Sequence, residues 1–277
     1  MAKEAEAMTT AGPVEGYQKV GPEVTVDGDA VTIEARGVYY RNLNEAVRAA
    51  FAAGAKKIRL QHVNGQRYIG NGISGSDLRI EIDGVPGNDL AMFMDGPTVV
   101  VSGNAQDGVG NTMNAGTVYV HGDAGDVLGY GMRGGRVFVH GDVGYRVGIH
   151  MKAYENLVPV MCCGGNARDF FGEYMAGGVL VLLGYHTQFP SQPLVGSFCG
   201  SGMHGGVIFL RGEVQQWQVG KECGIFTADE EDMKTLAPVV EEWCKEFGED
   251  SAAVMSESFT KLVPVSHRPY GKLYTNM

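Results

Sequence analysis

The chain lacks the cysteine spacing that staples or metallates a fold. Its five cysteines, Cys162, Cys163, Cys199, Cys223 and Cys244, are odd in number and none stands in a C-x-x-C pair. This argues against a disulfide framework, a zinc site and an iron–sulfur cluster. It predicts reduced thiols that fill small apolar spaces, with Cys162-Cys163 near a turn. Basic residues are scarce: 22 Lys and Arg face 32 Asp and Glu, a formal net charge of −10, with no basic cluster. A surface that neutralises phosphates by counterion release is not expected, which removes nucleic acid as a partner. No run of 18 apolar residues is present, and the opening MAKEAEAMTTAGPVEGY reads as a polar tail rather than a charged-then-apolar leader. No membrane contact is expected, and the cytoplasm is the expected location. The G-x-S-x-G nucleophile elbow is missing as well.

Glycine is what the chain has in excess: 42 of 277 residues, about twice the average share. The glycines are periodic. From Gly65 they recur at Gly84, Gly103, Gly122 and Gly141 at intervals of 19 residues, and Gly165 to Gly184 is 19 again. Two intervals are longer, 24 from Gly141 to Gly165 and 28 from Gly184 to Gly212, as insertions containing KAYENLVPV and YHTQFPSQPLV would give. In this phase one position holds methionine in six of seven units, Met94, Met113, Met132, Met151, Met175 and Met203, with Gly75 in the first unit. Three residues earlier stand Gly72, Gly110, Gly129, Gly148, Gly172 or Gly200, with Ala91 the exception.

Before the closing glycines run short apolar stretches with period two. One column reads Ile80, Val99, Val118, Val137, Leu180, Ile208, and the next Ile82, Val101, Val120, Val139, Leu182, Leu210. Between them lies a mixed column, Glu81, Val100, Tyr119, Phe138, Val181, Phe209, the mark of a strand with one face in a core. One strand per 19 residues leaves no room for a helix pair. The pattern predicts an all-β, single-stranded β-solenoid, a right-handed parallel β-helix of about seven coils, with glycines such as Gly129, Gly148 and Gly172 at corners.

Helical caps are expected at both ends, because a solenoid end exposes unpaired strand edges. The sequence divides accordingly into an N-terminal tail and αβ cap (1–64), the β-helix (65–212) and a C-terminal helical cap and tail (213–277). VTVDGDAVTIEARG alternates like a strand pair, and RNLNEAVRAAFAAG predicts a helix with Asn42 at its N-cap, Glu45 three residues on and Gly54 at its end. KKIRLQHV predicts the strand into the first coil. TADEEDMKTLAPVVEEWCKEFGED predicts a helix with an acidic start, a stripe through Leu236, Val240 and Trp243, Gly248 at its end, and a kink or break at Pro238. The tail FTKLVPVSHRPYGKLY suits packing along another surface.

Chemical motifs are few. G-x-G-x-x-G occurs at Gly70, Gly129 and Gly200, but nowhere after a strand and opening a helix, so corner glycines explain it better than a dinucleotide. The methionine column is read as core rather than as a soft-metal path. His121 and His140 are 19 residues apart and should stack one coil apart as an exposed ladder. Their column also holds Asp83, Ser102, Leu183 and Arg211 and offers no usual third ligand, so no metal is predicted. Ser76, Ser197 and Ser201 lack an evident base, and Asp169 with Glu173 is a candidate carboxylate pair with nothing to indicate a raised pKa.

GDAGDVLGYGMRGGRVFVHG and NARDFFGEYMAGGVLVLLG resemble the G-x-x-G-x-x-x-G repeat of the C-terminal domain of the glutamate synthase large subunit. That repeat domain is shared with one of the subunits of formylmethanofuran dehydrogenase. GEYMAGGVLVLLG is similar to the family's E-Y-M-T-G-G-x-V-V-V-L-G, and Gly144-Tyr145-Arg146 to its G-E-R; after Arg146 the stretch VGIHMK departs from the usual R-N-S-G ending. The whole chain is similar to stand-alone subunits of split, archaeal-type glutamate synthases, and a related group serves in N-methylglutamate synthase. The resemblance implies a non-catalytic wall that braces a glutaminase-type amidotransferase subunit against an FMN and iron–sulfur glutamate synthase subunit and lines the ammonia passage. It implies no catalytic residue, cofactor or metal on this chain, with FMN and the cluster on a partner. Arg146, His150, Glu173 and Tyr174 fall at the partner or channel interface, and Gly84, Gly103, Gly122, Gly129, Gly141, Gly148, Gly172 and Gly184 carry the repeat. The alternative is the corresponding scaffold of formylmethanofuran dehydrogenase or a formyltransferase/hydrolase complex. An independent hydrolase using Ser201 or His204 in CGSGMHGG is a third alternative.

Overall fold

A computed structural model describes residues 21–265, so the N-terminal tail and the end of the C-terminal tail lie outside the described residues. In chain order the elements are β1 (Val24–Asp27), β2 (Ala30–Glu34), α1 (Tyr40–Ala52), β3 (Lys57–Asn64), β4 (Arg79–Val85), β5 (Asp95–Val101) and β6 (Ala115–Val120). Then follow β7 (Arg136–Val139), β8 (Val160–Cys163), β9 (Ala176–Leu182), β10 (Gly205–Arg211), β11 (Cys223–Thr227), α2 (Glu230–Phe247), α3 (Ser251–Val254) and β12 (Phe259–Pro264). All twelve strands join one sheet in the order β1-β2-β3-β4-β5-β6-β7-β8-β9-β10-β12-β11, parallel from β2 to β10. Parallel pairing of sequence neighbours with a full coil between them is a β-helix.

The register places like on like. Val99 pairs with Val118, Val118 with Val137, Val137 with Met161 and Met161 with Leu180, so the aliphatic columns stack as the period-two pattern requires. Met94, Met113, Met132, Met151, Met175 and Met203 are all fully buried in the same core. The seven repeat units carry seven strands, β4 to β10, with six turns between the first and the last of them, close to the expected count of about seven. Cys162 and Cys163 close the short strand β8, directly before the bend at Gly164 and Gly165, and they complete the columns that the longer repeat had hidden.

The helices correct three expectations. α1 starts earlier than Asn42: Tyr39 is its N-cap, without a side-chain cap, and Asn42 lies inside the first turn. Ring packing sets that start, with Tyr39 against Tyr40 at 4.5 Å, Tyr40 against Tyr68 at 5.7 Å and the Arg67 guanidinium 5.3 Å over Tyr40. α2 opens with a capping box between Asp229 and Asp232 and ends at Gly248 with φ +75°, but it runs through Pro238 as one helix. Nor does α2 cap the solenoid's end. It lies along the outer face of the sheet, where Leu236, Val239, Val240 and Trp243 form a second core with Phe138, Cys162, Val181 and Phe209. The end is closed instead by β12, which pairs antiparallel with β10 and β11. The apolar half of the mixed column explains the placement, since each large side chain covered there gains roughly 1.5–3 kcal/mol.

Candidate functional site

Each turn of the coil has one corner built from left-handed residues at alternate positions. Around the stretch GDAGDVLGYGMRGG these are Val127 (φ +54°), Gly129 (φ +65°) and Gly131 (φ +59°). The G-x-G spacing thus records a backbone that turns by alternating left-handed and ordinary residues, a conformation glycine adopts without strain. At Gly129 a Cβ would also meet the buried Met161 Cε at 2.5 Å. In the next two turns the same alternation runs through Arg146 (φ +58°), Gly148 and His150 (φ +57°), then Phe170 (φ +66°), Gly172 and Tyr174 (φ +54°). Phe198 (φ +63°) continues the first column. A side chain at such a position costs about 1–2 kcal/mol over glycine, so five large ones on adjacent turns are retained against a backbone preference.

Together with Tyr130, those five side chains form two stacks. In one, the Arg146 guanidinium lies 4.4 Å over the Phe170 ring, and Phe170 stacks on Phe198 at 5.0 Å. In the other, Tyr130 meets His150 edge-on at 5.9 Å and His150 stacks on Tyr174 at 5.2 Å. Glu173 ties them: its buried carboxylate accepts from the Arg146 guanidinium, and its backbone carbonyl accepts from His150 N at 3.0 Å. Arg146, His150, Glu173 and Tyr174, drawn from two separate stretches of sequence, are therefore one cluster. Beside it a depression of about 460 Å³ is lined by His150, Lys152, Tyr174, Ala176 and His204. Phe198, Tyr174, Tyr130 and Tyr145 remain exposed along this ridge. Phe170, Phe198 and Tyr130 escaped sequence reading because the repeat marks this corner by its glycines and methionines, while the positions beside them change from turn to turn.

A second corner works differently. Asn104 and Asp123 place side-chain oxygens against the backbone N–H groups of Asp123 (2.9 Å) and Asp142 (2.8 Å) one turn on, and Asp107 and Asp126 do the same for Asp126 (2.9 Å) and Tyr145 (2.8 Å). A Cβ at Gly122 or Gly141 would overlap the preceding turn's Asn104 or Asp123 oxygen. Gly103, Gly122 and Gly141 are therefore not left-handed corner glycines like Gly129, Gly148 and Gly172; Gly122 and Gly141 are there to admit an Asx ladder. The sequence carries the signal as G-[DN]-x-x-D, of which the glycine alone stands out in the repeat.

The remaining candidates separate. The coil interior is filled by the fully buried Met and aliphatic columns. Ser201 and His204 engage the neighbouring turn through their backbones, Tyr174 N donating to Ser201 O at 2.9 Å and His204 N to Met175 O at 2.7 Å. Among the described residues no side chain hydrogen-bonds the Ser201 hydroxyl. Asp169 accepts from Ser197 N at 2.8 Å while Glu173 holds Arg146, so the two carboxylates serve different partners. Cys162 and Cys163 point to opposite faces of the sheet into separate cores, and burial pushes both thiols up. His121 and His140 are not an exposed ladder: α2 lies over them, with Glu246 3.1 Å from His121 and Glu249 2.8 Å from His140. Among the described residues no helix is long and apolar enough to cross a membrane.

With this geometry in place, three comparisons align. The family described as "GXGXG motif" matches residues 52–267. An uncharacterised protein of Methanocaldococcus jannaschii is 51% identical over 253 residues, covering 89% of this chain and 97% of that protein. A chain in the formyltransferase/hydrolase complex of Methylorubrum extorquens, solved with methylofuran, superposes with a TM-score of 0.57 at 20% identity, covering 77% of this chain and 80% of that one. At that identity the likeness is one of fold.

Proposed function

The chain belongs to the GXGXG-motif family, and from that membership we propose that it is a non-catalytic structural subunit of a multi-subunit enzyme of the glutamate synthase type. The observation that carries the proposal is the ridge of Arg146, His150, Phe170, Tyr174 and Phe198, held at strained backbone positions and left open. Aromatic and Arg side chains on a rigid support are the usual anchors of protein interfaces. On this reading a glutaminase-type subunit and an FMN and iron–sulfur synthase subunit lean on the wall, each bringing its own cofactors and chemistry. The packed interior leaves no bore, so an ammonia passage would run between the ridge and a partner. A sealed route matters because ammonia released to water at neutral pH is mostly protonated and lost as a nucleophile.

The fold likeness to a chain of a formyltransferase/hydrolase complex favours a second reading, in which the partners handle a one-carbon unit. Affinity purification of the tagged chain from its native host separates the two. Recovery of a glutaminase and a flavoprotein supports the first; recovery of a metallohydrolase and a formyltransferase replaces it with the second. A chain that returns alone, with the ridge intact, overturns both.

A further inference from the structure

We propose that His140, His186 and Glu249 form a binding site for one divalent cation of the zinc class, which pins the insertion after β9 and the end of α2 to the solenoid. The histidine column itself offers no third ligand, as its composition led one to expect; the other two ligands of the proposed site come from outside it. His140 Nε2 lies 2.8 Å from Glu249 Oε1, and His186 Nδ1 lies 3.8 Å from that same oxygen. One donor atom from each of the three residues falls within a 4.8 Å cluster. Ligands held ~2.0–2.2 Å from a tetrahedral zinc are ~3.3 Å apart, a spacing bracketed by these distances.

Each ligand is fixed by its own segment. The His140 ring sits between His186, at 3.8 Å and 19° to its plane, and Phe247, at 4.9 Å and 17°, which aims Nε2 at Glu249. Glu249 follows the left-handed Gly248, and its N–H donates to Cys244 O at 2.9 Å. The insertion is anchored at its start, where Tyr185 N and His186 N donate to Gly164 O at 2.8 and 2.9 Å. His186 is the exposed member, so the fourth side of the site opens to solvent and its ring is free to tilt onto a cation. Two imidazoles and one carboxylate suit zinc and its borderline neighbours, while magnesium and calcium prefer all-oxygen sites. Buried cysteines do not compete, since burial raises their thiols, to about 11 in Cys223 and Cys244. One turn earlier His121 meets Glu246 at 3.1 Å in the same way but without a second imidazole, which supplies an internal control.

The test is calorimetric titration of the full, chelator-stripped chain with Zn²⁺ alone, with melting followed in parallel. One Zn²⁺ per chain with a Kd at or below about 1 μM is expected, with a melting temperature that rises with Zn²⁺. His186→Ala, which is exposed and leaves the core untouched, and Glu249→Gln should each weaken binding at least tenfold. His121→Ala should not change it, and Mg²⁺ should give no response. Absence of stoichiometric binding, or binding that survives His186→Ala unchanged, overturns the site.

Discussion

The same outward column of the sheet looks different at its two ends. In the early turns it holds Glu81, solvated among Lys57, Arg59 and Arg79; in the later turns it holds Phe138, Val181 and Phe209, sealed under α2. One ladder geometry therefore supports two surfaces, and the residue in the column decides whether the chain covers it or leaves it wet. The contrast teaches that one sheet face is covered where its column turns apolar, while the ridge at Tyr174 and Phe198 stays open on another side of the coil. The largest break in the closed half is Trp243→Ala. Trp243 is fully buried and donates from Nε1 to Val139 O at 2.8 Å. Its loss should cost about 3–5 kcal/mol, read as a lower denaturation midpoint, and a smaller loss would mean that α2 is not held as described.

The corner glycines sharpen the contrast between the inner and outer sides of one turn. Gly129→Val should cost about 1–3 kcal/mol, through left-handed strain and overlap with Met161. Gly131→Ala meets only Thr112 Oγ1 at 3.7 Å, so it carries strain without overlap and should cost about 1 kcal/mol. Equal melting of Gly129→Val and the parent would remove the corner assignment. On the open half, Tyr174→Ala and Phe198→Ala should change stability by less than about 0.5 kcal/mol, the usual range at exposed sites. Yet together they should lower retention of the co-purifying subunits about tenfold or more, as truncated interface anchors do. Unchanged retention would show that partners bind elsewhere.

How much of this was legible depends on distance along the chain. The Val, Ile and Met columns were plain because a 19-residue period puts identical chemistry in identical places, and hydrogen bonding between turns enforces the register. The stripe Leu236, Val240, Trp243 announced a buried helix face but not its seat, since an amphipathic pattern says that a face is covered and not by what. The resemblance placed Arg146 and Glu173 at one interface, and their direct pairing is what the structure adds. The meeting of His140 with His186 and Glu249 was not legible, because an insertion and a separate helix deliver them, and no spacing rule relates positions 46 and 109 residues apart.

The smallest effect sits at the wet end of the column and tests whether it is as solvated as it looks. Burial alone would raise the Glu81 carboxyl, but contacts from Lys57, Arg79 and Arg59 outweigh it and lower it from 4.5 to about 2. A carboxylate depressed in the folded state contributes stability above its unfolded pKa and loses it as pH falls through its folded one, so the contribution fades between about pH 5 and pH 2. Half-open pairs of this kind are screened, and Glu81→Gln should cost no more than about 1 kcal/mol at pH 7 and less in high salt. Acid titration of stability should then show parent and variant converging below pH ~3, with the parent's curve the steeper of the two. Parallel curves would mean that the three cations find other partners when Glu81 is gone, and that the early turns tolerate charge at this column without needing it paired.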